Sequence, residues 1–223
     1  MEPVFVLAIA AVVTVLVFDY TNGFHDAANV VATVIASRAM SPAQAVALVA
    51  VFEFLGPLLG GTAVANTIGG FINLGDVPVV LSLGVLVAGL LGAICWNLLT
   101  WWWGIPSSSS HALVGGLVGA VVLAVGVDHV QWGFGELAQG RLTGVTKVLL
   151  ALVLSPVLGF VVGYLLHRLL SLIFRAARPV LNRYLRLAQY VTTAGLAFSH
   201  GANDAQKSMG ILTLVLVLGG FIP

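Results

Sequence analysis

Gly23-Phe-His-Asp26-Ala27 and Gly201-Ala-Asn-Asp204-Ala205 carry Gly, Asp and Ala at the same offsets, each inside a long apolar stretch. The first pentapeptide lies in the polar knot Asp19-Tyr-Thr-Asn-Gly-Phe-His-Asp-Ala-Ala-Asn29, which interrupts an otherwise apolar run from Pro3 to Ala36. The second lies in Ser199-His-Gly-Ala-Asn-Asp-Ala-Gln-Lys207, within a run from Leu187 to Phe221. At about 1.5 Å per residue the first run would make a helix of roughly 50 Å, too long for one bilayer crossing unless tilted or broken. The reading places the break at Asn22-Gly23.

Working outward, the 223 residues are 60% hydrophobic and 8% charged, with a mean hydropathy of +1.09. A soluble domain carries about 25% charged residues. Several apolar runs reach the roughly 20 residues that cross a hydrocarbon core, and their apolar character is continuous and does not alternate, which points to helices and away from strands. The expected class is therefore an all-α membrane protein, a multi-pass helical bundle in the cell (inner or plasma) membrane. A lone Cys95 excludes an internal disulfide or a cysteine metal cluster. A net charge of +1 leaves no nucleic-acid footprint. The N-terminus lacks a signal peptide's basic n-region and small-residue cleavage site, so it reads as the first membrane helix.

A second helix carries Glu53 and fades at Gly69 and Gly70; a third apolar run, Val79 to Trp103, meets Gly104-Ile-Pro-Ser-Ser-Ser-Ser-His111. The apolar segment that follows is short for a span, so the serine run is expected to turn a re-entrant hairpin. Asp128 to Arg141 reads as an external loop, and a long helix from about Thr143 to Phe174 leads to Arg175, Arg178, Arg183 and Arg186. Basic residues favour the cytoplasmic side, which puts the arginines and Arg38 inside and the N-terminus outside. The two knots then sit on oppositely oriented helices, the mark of an inverted-topology repeat with broken helices and a site between them. Residues 1–186 form the first repeat with its connecting helix, and residues 187–223 begin the second. The counterpart of the serine hairpin is missing after Asp204, so a further Ser/Thr-His segment is expected beyond Pro223 or from a second polypeptide.

Three motifs in order, Gly23-Phe-His-Asp-Ala-Ala-Asn29, Gly104-Ile-Pro-Ser-Ser-Ser-Ser-His111 and Phe198-Ser-His-Gly-Ala-Asn-Asp-Ala-Gln-Lys207, resemble the PiT-type inorganic phosphate transporters. The first and third are similar to that family's duplicated Gly-Ala-Asn-Asp signature, and the second to its hydroxyl-rich hairpin. Phe24 and His25 depart from the signature in a way similar to the bacterial low-affinity branch. The resemblance implies a secondary active transporter of inorganic phosphate, a symporter coupled to H+ or Na+, with no enzymatic step and no cofactor.

The residues suggest how such chemistry would be divided. Asp19, Asp26, Glu53 and Asp204 lie in apolar spans where an unpaired charge costs at least ~2.5 kcal/mol, so they must be paired, protonated or bound to a cation. Asp26, Asp204, Glu53 and Lys207 are the candidate cation-coupling set, and Na+ could sit at Asp26, Asn29 and Asp204; helix-to-helix polar glue is the plainer alternative, most of all for Asp19. Ser107 to Ser110 open a helix, where hydroxyls, free N–H groups and the positive dipole end favour an anion, although serines there are also ordinary caps. Ser108 and Ser110 match the resembled family's hydroxyl positions. Ser109, His111, Asn29, Asn203 and Gln206 complete the candidate phosphate set. Lys207 either contacts phosphate or pairs with a buried acid. His25 and His200 flank the knots and could relay protons or be satisfied core histidines.

Expected partners are inorganic phosphate, travelling free or with a divalent metal, and membrane lipid; the pattern allows a homodimer. Sulfate is the nearest competing substrate. A passive channel and an intramembrane serine hydrolase using one of Ser107 to Ser110 are the readings from other classes.

Overall fold

The structure is a computed structural model that describes residues 2–222, with the Glu2 side chain outside the description. The described elements are helical: α1 (Glu2–Ala36), α2 (Pro42–Leu59), α3 (Ala63–Gly69), α4 (Val79–Trp102), α5 (Ser109–Ala124), the short α6 (Phe134–Leu137), α7 (Gly144–Ile173) and α8 (Leu181–Leu218). Four of them, α1, α2, α4 and α7, are long and apolar enough to cross a membrane.

α1 and α8 run antiparallel along the length of α1. Phe5 meets Phe221, Asp19 meets Ser208, Asn22 meets Asp204 and Ser37 meets Gln189, so each step along α1 is matched by a nearly equal step back along α8. The two polar knots therefore face each other. Ser37 and Gln189 mark the end at which Arg38 and the Arg175–Arg186 segment lie, and Phe5 and Phe221 mark the opposite end.

Neither knot breaks its helix, which corrects the expected broken helices at Asn22-Gly23 and in the second knot. A helical glycine costs only about 1 kcal/mol, and the knot's polar side chains find partners across the α1–α8 seam, so the backbone has no reason to open. The interruption lies instead at Gly60-Gly61-Thr62, between α2 and α3. Pro57 removes the hydrogen bond that would satisfy the Glu53 carbonyl. Gly61 then takes φ +80°, a conformation open mainly to glycine. The freed N-terminus of α3 is capped from α8, where Gln206 Oε1 accepts from Val64 N at 2.9 Å.

α2 begins on a capping box, Ser41 accepting from Gln44 N while Gln44 Oε1 accepts from Ser41 N. It packs parallel to α8 through glycines: a Cβ on Gly201 would sit 2.6 Å from Glu53 Cα, and one on Gly56 would strike the Ala202 and Gly201 backbone. Such small-residue contacts let membrane helices approach closely. Gly201→Val is accordingly expected to force α2 from α8 and cost about 1–3 kcal/mol or more, read as a lowered Tm of the purified protein.

α4 and α5 form the expected hairpin. They are antiparallel, Gly89 lying against Gly116 and Leu117 while Trp96 Nε1 donates to Ser107 Oγ at 2.9 Å. The chain returns to the face it left, because Phe71–Asn73 and His129–Gln131 exchange two backbone hydrogen bonds. α5 has 16 residues, about 24 Å, less than a hydrocarbon core. Phe18, Phe71, Leu83, Leu86, Leu90, Leu113 and Leu117 fill the core among α1, α4 and α5, and Ile211 and Val215 of α8 join it. A smaller apolar group, Val30, Val49 and Ala197, lies toward the arginine end. The polar knots are held between these two layers. Beyond Val148, α7 exposes Val153, Phe160, Leu165 and Leu172, surface suited to lipid.

Candidate functional site

The antiparallel seam sets Asn22 and Asp26 of α1 against His200 and Asp204 of α8. One ligand atom each from Asp26, His200 and Asp204 lies within 4.8 Å of the others. His200 bridges two carboxylates, Nδ1 standing 2.9 Å from Glu53 Oε1 on α2 and Nε2 3.3 Å from Asp204 Oδ2. Asn22 Nδ2 donates to that same Asp204 oxygen at 3.1 Å. The other Asp204 oxygen accepts from Lys207 Nζ at 2.8 Å. His25 Nδ1 lies 3.5 Å from Asp26 Oδ1. Farther along the seam, Ser208 Oγ donates to Asp19 Oδ1 at 2.7 Å.

Charge is not balanced within this cluster. Three carboxylates, Asp26, Glu53 and Asp204, face one ammonium, and Lys207 is bound to Asp204 alone among them. His200 lies between Glu53 and Asp204, His25 lies between Asp26 and Thr100, and the buried Asn22 Oδ1 has no hydrogen-bond partner. A cluster with surplus carboxylate and a vacant amide oxygen suits a proton or a small hard cation, which prefers oxygen ligands.

Lys207 also turns to the hairpin. Its Nζ donates to Ser109 Oγ at 3.0 Å, with the side chain only 4% exposed. On this side a cavity of about 350 Å³ has a largely apolar wall, Val64, Ile68, Val114, Val148 and Leu152 among it, into which Ser110, Asn203, Lys207, Thr67, Lys147 and Ser155 bring polar groups. These two lysines, three hydroxyls and an amide are a donor set suited to an oxyanion.

The profile of the family described as "Phosphate transporter family" matches residues 22–219. The chain belongs to the phosphate transporter family. A relative from Bacillus subtilis (strain 168), named a probable low-affinity inorganic phosphate transporter, is 41% identical over 97% of this chain and 62% of its own length. One from Streptomyces halstedii with the same name is 46% identical over 87% of this chain and 86% of its own. The chain thus spans about three fifths of the Bacillus protein. Among solved structures, one described as "The sodium-dependent phosphate transporter" shares the fold at a TM-score of 0.75 and 23% identity, covering 98% of this chain and 70% of that one. The family is one of multi-pass membrane transporters, not of enzymes.

Within this phosphate transporter fold, the residues singled out in the sequence divide into three groups. Asp26, Asp204, Glu53 and Lys207 come together, the three acids around His200 and Lys207 directly on Asp204. Ser110, Asn203 and Lys207 share the cavity, and Ser109 binds Lys207. The rest serve elsewhere. Ser108 caps α5, accepting from His111 N at 3.4 Å. His111 is exposed beside Trp96 and Gly115. Gln206 caps α3, and Asn29 is exposed and outside the acid cluster.

The amide inside the acid cluster is Asn22, which sequence reasoning did not single out. Its signal was its place in the first knot, one turn before Asp26. Ser208 as the partner of Asp19 and the lining residues Thr67 and Lys147 were also missed; the seam makes the first contact, and the α2–α3 break with α7 beside it brings the other two near the knots. The geometry also bears on the serine hydrolase reading. Ser109's basic neighbour is Lys207, whose ammonium is engaged by Asp204, so it is a donor and not the general base that a serine nucleophile needs.

Proposed function

We propose that the protein is a symporter of inorganic phosphate, with the anion held by Ser110, Asn203 and Lys207 and the coupling cation, H+ or Na+, held by Asp26, Asp204 and His200 with Asn22. The observation that carries this reading is the double engagement of Lys207, which pairs with Asp204 on the acid side and lines the oxyanion cavity on the other. A cation or proton arriving at Asp204 weakens that carboxylate's hold on Lys207. The ammonium is then released toward the cavity, where phosphate needs it. Cation binding and phosphate binding thereby favour each other, and the coupling is reciprocal. The facing knots support the view that the two helices are halves of an inverted repeat whose relative movement exposes the site to either side.

The test is radiolabelled phosphate binding to the purified protein, titrated with Na+ and across pH. Phosphate affinity is expected to rise with one of the two cations; affinity indifferent to both would reject the coupling through Lys207. The serines give a second, local check. Ser110→Ala is expected to weaken phosphate binding roughly ten- to 150-fold, the effect of losing a hydrogen bond to a charged group. Ser108→Ala should instead cost about 0.5–2 kcal/mol of stability as a lost N-cap and leave affinity nearly unchanged. Thermal unfolding and binding measured on both variants separate the roles.

A further inference from the structure

We propose that Lys147 is the outer anion-receiving residue, which draws phosphate through a polar antechamber and passes it to Lys207. The inference rests on the reading that phosphate occupies the cavity at Ser110, Asn203 and Lys207. Lys147 lines that cavity and also a second one of about 490 Å³, whose wall includes Asn66, Gln131 and Thr143. Ala63 and Thr67 are common to both. The two spaces therefore adjoin across Lys147 and Thr67, with the second reaching the loop face opposite the arginine end. Basic residues favour the cytoplasmic side, so this loop face is the outer one.

The lysine's own setting asks for an anion. Its Nζ donates to Thr67 Oγ1 at 3.1 Å, and among the described residues its ammonium has no carboxylate within ion-pair reach. It lies in the first turn of α7, where the positive end of the helix dipole disfavours a cation. A lysine that merely snorkelled would carry its charge outward to the headgroups. This one, although exposed, is tied to Thr67 of α3 where the two cavities adjoin. With Lys207 at the inner end of the same route, a small tetrahedral oxyanion would pass from one ammonium to the next with hydroxyl donors between them.

The experiment is phosphate uptake into proteoliposomes of neutral lipid holding the protein together with its expected further Ser/Thr-His segment, comparing wild type with Lys147→Gln and Lys147→Arg. Lys147→Gln is expected to raise KM for outside phosphate about tenfold or more with little change in kcat and in Tm, and Lys147→Arg to restore most of the loss. The wild-type KM should rise with ionic strength, and the glutamine variant should flatten that dependence. An unchanged KM and salt dependence in Lys147→Gln, with wild-type uptake intact, overturns the role of Lys147 alone. Anionic lipid that raises the Tm of wild type but not of Lys147→Gln, with KM unchanged, would make the group a lipid-phosphate contact and overturn it as well. Absence of phosphate uptake by wild type would instead reject the functional reading beneath it.

Discussion

Asp26→Asn is expected to abolish phosphate accumulation against its gradient while leaving the protein folded. Asparagine matches aspartate in shape and keeps an acceptor oxygen, but it cannot carry the charge that holds a proton or a cation. The substitution falls where three carboxylates face one lysine, and Asp26 is not the acid that Lys207 binds. No buried ammonium is left unpaired, so Tm should be kept or slightly raised. The measurement is the steady-state ratio of phosphate inside and outside proteoliposomes under an imposed cation gradient. It should fall to the equilibrium value in the variant. Normal accumulation would return Asp26 to a packing role. The same change at Asp204 is a poorer test, since it strips Lys207 of its carboxylate.

Lys207→Met should have the largest effect on stability. Lys207 is buried and donates to Asp204 at 2.8 Å, and removing one partner of a buried pair costs about 3–5 kcal/mol because the other charge is stranded. Phosphate affinity should be lost together with stability. Lys207→Met combined with Asp204→Asn removes both charges and should recover much of the Tm, but none of the phosphate affinity, in a double-mutant cycle. Recovery of phosphate binding in the double variant would show that the ammonium serves only the ion pair and not the anion.

The length and unbroken hydropathy of the apolar runs made the helices legible, and the shared Gly, Asp and Ala offsets singled out α1 and α8. The α4–α5 hairpin could be read from the shortness of the segment after the serines. The place of the helix break could not. Polar residues inside an apolar run suggest an opened backbone when the run is taken alone. In the folded chain Asn22 and Asp19 instead answer Asp204 and Ser208 across the seam, and α1 stays whole. The actual break at Gly60-Gly61 follows from Pro57 and a glycine pair, which hydropathy alone does not set apart from the rest of the run.

The site was legible to the same depth. Acids isolated in apolar sequence declare themselves, because their cost demands a partner or a cation, and Asp26, Asp204, Glu53 and Lys207 do converge. Ser108 and Ser110 show where sequence stops. Both are hydroxyls at a helix start, and only the direction of α5 sends one to the cap and the other to the cavity. Lys147 lies far from both knots along the chain, and nothing in the sequence relates it to Lys207; the packing of α7 beside α3 does.

The most direct test of the account is radiolabelled phosphate uptake into proteoliposomes with proton and sodium gradients imposed separately. The account predicts accumulation of phosphate above equilibrium under one of the two gradients, its loss when that gradient is collapsed, and its loss in Asp26→Asn. Phosphate uptake that only equilibrates, at a rate indifferent to both gradients, would contradict it.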